Sequence, residues 1–105
     1  MSHLAASPIG AHVPVAGGLA TRGLAYAADI SAEAVQVFVS NPRGWATTPG
    51  HPEEDAALRE RTDLPVFVHA NYLINLGSPD DAIARRSAAS LEHALRRGAG
   101  IGARG

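Results

Sequence analysis

Three short apolar stretches punctuate the chain, and each is followed by a segment that favours a helix. The stretches are 8–13, 34–39 and 64–69, and the second is rich in β-branched residues, which favour strands. Residues 19–28 carry apolar side chains at helical spacing despite an internal glycine. Near-continuous apolar strands that alternate with helices predict a parallel sheet of the α/β class.

The second helix is predicted to start at Pro52, because proline suits the first helical turn. The acidic run Glu53, Glu54 and Asp55 lies near its positive end, where we expect a solvated face.

The third helix is predicted from Ser78 as N-cap and Pro79 as first helical residue. Gly98 is predicted to end it, and the glycine-rich 98–105 is typical of the approach to a fourth strand. Its apolar face runs through Ile83, Ala84, Ala88, Leu91, Ala94 and Leu95.

The composition indicates a folded domain and narrows the kinds of site it can contain. The 105 residues are 46% hydrophobic, with a formal net charge of -1, so the chain lacks the basic excess of a dedicated DNA-binding domain. Cysteine is absent, so disulfides and thiolate zinc sites are excluded, and any metal must be held by His, Asp or Glu. No apolar run approaches the roughly 20 residues that span a bilayer, and the N-terminus does not read as a signal peptide. We therefore expect a cytoplasmic protein with no membrane partner.

Five residues that could carry chemistry lie at or just after the carboxyl ends of the predicted strands, where βα folds build their sites. His12 and His69 close the first and third strands, and His69 is a candidate metal ligand because of its place at a strand's carboxyl end. Arg43 lies in the turn after the second strand, where it can stack on a base or hold a phosphate. Tyr72 and Leu73 could wedge into a duplex.

Each of these residues also has a structural interpretation. His12 can simply cap its strand, Arg43 can pack its stem on Trp45, and Tyr72 and Leu73 can be core residues of a loop. One histidine is not a metal site, since zinc normally takes three or four protein ligands. The pair Gly17-Gly18 is only a weak indication of a phosphate cradle, because no full G-x-G-x-x-G surrounds it.

Taken together, three segments resemble the endonuclease IV family. They are Ile9-Gly10-Ala11-His12-Val13 with Ala16-Gly17-Gly18-Leu19, then Asn41-Pro42-Arg43-Gly44-Trp45, then His69-Ala70-Asn71-Tyr72-Leu73-Ile74-Asn75-Leu76-Gly77. They occur in the family's order and with its spacing, and with the helices between them they cover nearly the whole chain.

The resemblance implies a xylose isomerase-like TIM (β/α)8 barrel, of which residues 1–105 form the N-terminal part with the first three βα units. It implies a zinc-dependent enzyme with a three-ion cluster, which cuts double-stranded DNA 5′ to an abasic site in base-excision repair. His69 matches the first zinc ligand along the chain, and Arg43, Tyr72 and Leu73 match residues that enter the DNA. His12 matches a histidine of the site's neighbourhood. Gly44 stands where some members have a polar residue that contacts DNA.

The chain is much shorter than a closed barrel, which needs roughly 250 residues. Since one zinc ligand cannot hold three ions, we expect the 105-residue chain alone to be inactive. Two alternatives remain open: a catalytically silent remnant, and a sugar isomerase or epimerase of the same barrel superfamily. The projecting Tyr72 and Leu73 argue against a sugar pocket. No protein partner is implied.

Overall fold

The computed structural model describes residues 7–105, and the first six residues, with the signal-peptide prediction that involves them, lie outside it. It contains three strands and three helices in strict alternation: β1 (Ala11–His12), α1 (Thr21–Asp29), β2 (Val35–Val37), α2 (Pro52–Arg59), β3 (Val66–Val68) and α3 (Asp81–Gly100). The strands pair in parallel in the order β1-β2-β3, which confirms the predicted sheet. The predicted strands are longer than these bounds, since the apolar runs continue past the residues that pair in the sheet.

The two faces of the sheet have different surroundings. Val13, Val35, Val37 and Val66 are buried, and they pack in the main core with residues of the helices and of the segments beside them: Ala20, Ala27, Leu58 and Ile101. The pairing aligns His12, Gln36 and Phe67 in one row on the opposite face, where Phe67 is 40% exposed.

Sequential strand order explains this asymmetry. Right-handed βα crossovers that always step in one direction place all their helices on the same face of a sheet. A sector of a (β/α)8 barrel has this arrangement: helices pack on one side of a parallel sheet, and the other side faces the barrel interior. The fold is therefore that of a partial TIM barrel, as expected.

A carboxylate from α2 caps the N-terminus of α1. Glu54 Oε1 accepts hydrogen bonds from the backbone N–H groups of Ala20 (3.0 Å) and Thr21 (2.8 Å), and Oε2 accepts one from the Thr21 hydroxyl (2.8 Å). The bonds from Thr21 hold the pKa of Glu54 below its ordinary value. Gly18 has φ 131°, and a Cβ there would collide with Glu54 Oε1, so this approach needs a glycine. The weak phosphate-cradle interpretation of Gly17-Gly18 is replaced by this internal cap.

The prediction that the three acidic residues at the start of α2 are solvated is wrong for two of them. Glu54 caps α1, and Asp55 accepts two hydrogen bonds from Arg97 of α3. Only Glu53 is exposed as expected. Composition alone could not separate the three carboxylates, because the partners of the two others lie more than 30 residues away in the sequence.

The ends of α3 differ from those predicted. Asp80, not Ser78, is the N-cap, and its side chain accepts a hydrogen bond from the Ile83 N–H at 3.1 Å. The Ser78 hydroxyl instead accepts from the Asp80 N–H in the preceding turn. Gly98 is buried inside the helix, where a Cβ would lie 3.5 Å from Val68, and the helix continues to Gly100.

The buried face of α3 is also less apolar than expected. Its buried residues are Ser87, Ser90 and Gly98, whereas Leu95 is 67% exposed. Small residues let the helix lie close to the sheet, so size and not hydrophobicity decides this contact.

The last residues pair with the sheet beside β3. The Arg104 N–H donates to the Val66 carbonyl at 2.8 Å, and the Val68 N–H donates to the Gly105 carbonyl at 2.9 Å. The tail therefore follows the path predicted for the approach to a fourth strand. No helix in residues 7–105 is long and apolar enough to cross a membrane.

Candidate functional site

The carboxyl ends of the three strands bring four rings together. Phe38, which follows β2, lies between His12 and His69, with ring-centroid distances of 4.5 and 4.9 Å. Tyr72 stands edge-on to both Phe38 and His69 at 5.3 Å. The two histidine rings are 6.2 Å apart. These tilted and edge-to-face arrangements are the ones that aromatic rings prefer, so the cluster holds the predicted site residues in a defined geometry.

The tautomer of His69 follows from its neighbour. Nδ1 lies 2.6 Å from the Ala70 carbonyl oxygen, which can only accept a hydrogen bond. Nδ1 therefore carries the proton, and the lone pair of the neutral ring is on Nε2. A ring N–H donated to a backbone carbonyl is the usual support of a metal-binding histidine.

His69 supplies one such nitrogen, and the described part of the chain does not complete a metal site around it. Residues 7–105 contain no group of three or more His, Cys, Asp or Glu side chains that could hold an ion. The assignment of His69 as a zinc ligand stays a prediction.

His12 lies at the end of β1, where it is exposed and contacts a residue of the neighbouring strand. Its Nδ1 lies 3.1 Å from Gln36 Oε1, an oxygen that only accepts. The Nδ1 proton then points to Gln36, and Nε2 carries the lone pair. His12 therefore belongs to the ring cluster, with its ring 6.2 Å from that of His69, and its role in the site's neighbourhood stays a prediction.

Arg43 is held by a tight turn, and its guanidinium lies over an aromatic ring. The Gly44 N–H donates to the Asn41 carbonyl, and the Asn41 side-chain oxygen accepts from the Arg43 N–H at 3.0 Å. The guanidinium carbon of Arg43 is 5.7 Å from the centre of the Tyr72 ring. This is a cation–π distance, so the arginine and the tyrosine form one surface.

Tyr72 and Leu73 project from the loop after β3. They are 55% and 38% exposed, so the alternative in which both are core residues is wrong. An exposed aromatic next to an exposed leucine at the mouth of the sheet can insert between bases.

Three residues of this site were not predicted. Phe38 is the centre of the ring cluster. Its position near the carboxyl end of an apolar strand was the sequence feature that could have identified it as a site residue. Gln36 was the one polar residue within 34–39. Asn71 gave no signal in the sequence, because its role depends on contact with a turn 27 residues away.

Comparisons with known proteins agree with this geometry, although no family model matches the chain. The chain is 57% identical over 107 residues to a probable endonuclease 4 of Streptomyces coelicolor, and 56% identical over 105 residues to one of Streptomyces avermitilis. These matches cover 99% and 97% of the chain but 36% and 34% of the relatives.

A solved structure gives the same result. Endonuclease IV from Thermus thermophilus superposes with a TM-score of 0.80 at 31% identity, and the match covers 92% of this chain and 38% of that one. The chain spans about a third of the length of the curated relatives it matches. In sequence and in fold, the chain is homologous to the endonuclease IV family over a portion consistent with its N-terminal part.

Proposed function

We propose that this sequence forms part of a zinc-dependent apurinic/apyrimidinic endonuclease, which hydrolyses the DNA phosphodiester bond 5′ to an abasic site in base-excision repair. The observation that carries the proposal is the shared position of His69, Arg43, Tyr72 and Leu73 at one edge of the sheet, in a chain homologous to endonuclease 4.

His69 fits zinc as a single ligand. Its Nδ1 proton is donated to the Ala70 carbonyl, which leaves Nε2 available to bind the metal. When bound, zinc would act as a Lewis acid, which would make hydroxide available near neutral pH and would stabilise the charge that develops in phosphodiester hydrolysis. The ring contacts of His69 with Phe38 and Tyr72 restrict the orientation of its imidazole at the carboxyl edge of the sheet.

The remaining residues of the edge would recognise the lesion. A base is missing at an abasic site, so flipping that nucleotide requires less unstacking than at an intact pair. Tyr72 and Leu73 are exposed side chains that can fill the gap, and Arg43 beside them can contact a phosphate or stack on a base. A wedge supplies no charge, so the net charge of -1 is compatible with this role.

The alternatives make different predictions. A sugar isomerase or epimerase needs a closed pocket for a small polar substrate, and exposed Tyr72 and Leu73 do not contribute to one. A silent remnant predicts that the edge no longer supports cleavage even when the rest of a barrel is supplied.

A hybrid protein tests the proposal. Residues 1–105 replace the matching portion of the Streptomyces coelicolor relative, and the product is assayed for bound zinc, for incision of a duplex with a tetrahydrofuran abasic analogue, and for aldose–ketose interconversion. We expect bound zinc and incision on the 5′ side of the analogue, with no sugar conversion. A folded hybrid that binds zinc but leaves the abasic duplex intact would overturn the proposal.

The 105-residue chain by itself provides the matching control. We expect it to purify without stoichiometric zinc and to leave the same duplex uncut. Stoichiometric zinc with cleavage would show that the count of ligands is wrong, or that several chains assemble into a working barrel.

A further inference from the structure

Asn71 connects the two segments that carry the DNA-facing residues. Its side-chain Nδ2 donates to the Gly44 carbonyl in the turn after β2, which also carries Arg43. Its Oδ1 accepts from the backbone N–H of Leu73 at 2.7 Å, in the loop after β3. One amide group therefore bonds to both segments at the same time.

A second bond runs parallel to this bridge. The Tyr72 N–H donates to the Pro42 carbonyl at 3.0 Å, so the backbone of the β3 loop is bonded directly to the turn. The Arg43 guanidinium then lies 5.7 Å over the Tyr72 ring. Two hydrogen bonds between the turn and the β3 loop, together with one direct cation–π contact, thus hold Arg43 beside Tyr72.

The bridge needs the chemistry of an asparagine. Nδ2 must donate to one carbonyl while Oδ1 accepts from one N–H, and an amide group does both. Aspartate keeps the acceptor but has no donor for Gly44, and its charge faces a carbonyl oxygen. The hydroxyl of a serine can also accept a hydrogen bond from the Leu73 N–H, but the serine side chain is too short to reach the Gly44 carbonyl at the same time.

We propose that Asn71 is a positioning residue, which holds Arg43, Tyr72 and Leu73 in one preformed surface for abasic DNA. The inference rests on the proposed function for the role of that surface, and on geometry alone for the link between the loops. A surface already ordered before binding avoids the loss of side-chain freedom that DNA binding would otherwise require.

Amide hydrogen exchange of the 105-residue chain tests the link without DNA. In Asn71→Asp and Asn71→Ser, we expect the Tyr72 N–H to exchange at least about tenfold faster, because its bond to Pro42 depends on the bridge. Asn75→Asp is the matched control: it places the same charge in the same loop, and its oxygen still accepts from the Gly77 N–H. Equal exchange rates of the Tyr72 N–H in the unsubstituted chain and in all three variants would overturn the proposed link between the two loops.

Equilibrium binding tests the positioning role. Fluorescence anisotropy measures the affinity for a tetrahydrofuran-containing duplex and for the intact duplex in the hybrid protein, with Asn71→Asp, Asn71→Ser, Asn75→Asp or no substitution. We expect both Asn71 variants to lose about tenfold of the preference for the abasic duplex, since three side chains lose their preformed geometry. The Asn75→Asp control should retain the preference, and a comparison at two salt concentrations separates a charge effect from a geometric one.

The outcomes separate the two proposals. Faster Tyr72 exchange with an unchanged preference would overturn the positioning role and leave Asn71 as a structural bridge only. No preference for the abasic duplex in the unsubstituted hybrid would overturn the DNA-recognition function of this edge, while the exchange result would still decide the link between the loops.

Discussion

Arg97 of α3 donates two hydrogen bonds to the carboxylate of Asp55 in α2, from Nη1 at 2.6 Å and from Nη2 at 2.9 Å. The two side chains are only 10% and 14% exposed. Gly50 makes room for the pair, because a Cβ there would collide with Arg97 Nη2. The ion pair therefore joins two helices through charges that are largely withdrawn from water.

Replacement of one partner should be strongly destabilising, because it leaves the other charge buried without a counter-ion. We expect Arg97→Leu to lower the free energy of unfolding by about 3 kcal/mol, measured by urea denaturation. Arg96→Leu is the matched control: Arg96 pairs with Glu92 on the same helix, but both side chains are more than 60% exposed. That change should alter stability by less than about 1 kcal/mol. If the two substitutions lower the free energy of unfolding equally, the buried Arg97–Asp55 pair does not contribute more to stability than the exposed Arg96–Glu92 pair, contrary to this prediction.

The cap on α1 predicts a pH dependence of stability. The hydrogen bonds from Thr21 lower the pKa of Glu54 from its ordinary value of 4.5, so its contribution is fully present above pH 4.5 and is lost as the pH falls through the lowered pKa. Glu54→Gln should therefore be less stable than the native chain at neutral pH, and the difference should shrink in acid. Thermal unfolding from neutral pH down to about pH 3 measures it, with the exposed neighbour Glu53→Gln as control. A difference that stays constant with pH would argue against the charged cap.

The wedge assignment predicts a specific loss of DNA affinity. In the hybrid protein, Tyr72→Ala with Leu73→Ala should weaken binding to abasic duplex at least about tenfold, since a stacked aromatic is worth about 1–3 kcal/mol. Leu76→Ala is the control, because Leu76 is 58% exposed in the same loop but outside the ring cluster. If the double variant and the control both bind the abasic duplex as the parent hybrid does, the wedge assignment fails.

Local patterns were sufficient for the fold and for the position of several site residues. Each apolar run became a parallel strand, and His12 lies at the carboxyl end of β1 while His69 directly follows β3. Parallel strands place these ends at one edge of the sheet, so the approach of the two histidines followed from sequence order. The turn at Arg43 was marked by its own Asn-Pro-Arg-Gly chemistry.

The remaining features depend on contacts between distant segments, which local patterns do not contain. Glu54 and Asp55 look alike in the sequence, yet one caps α1 and the other pairs with α3. Ser78 is a good N-cap residue, but Asp80 takes that position because its oxygen reaches the Ile83 N–H. Asn71 contributes through the turn at Gly44, and only the folded chain brings the two together.

The most direct test of the central claim is the rate at which the hybrid protein incises a single-abasic duplex, with His69→Ala compared with His51→Ala. His51 is an exposed histidine that caps α2 without a side-chain bond, so its loss should leave the rate nearly unchanged. His69→Ala should reduce the incision rate at least about tenfold. Substitution of a mere hydrogen-bond partner of a metal ligand already lowers metal affinity or activity by about tenfold to a hundredfold. If His69→Ala incises the abasic duplex at the rate of the parent hybrid with the same zinc content, His69 is not a ligand and the proposed metal role of this edge is contradicted.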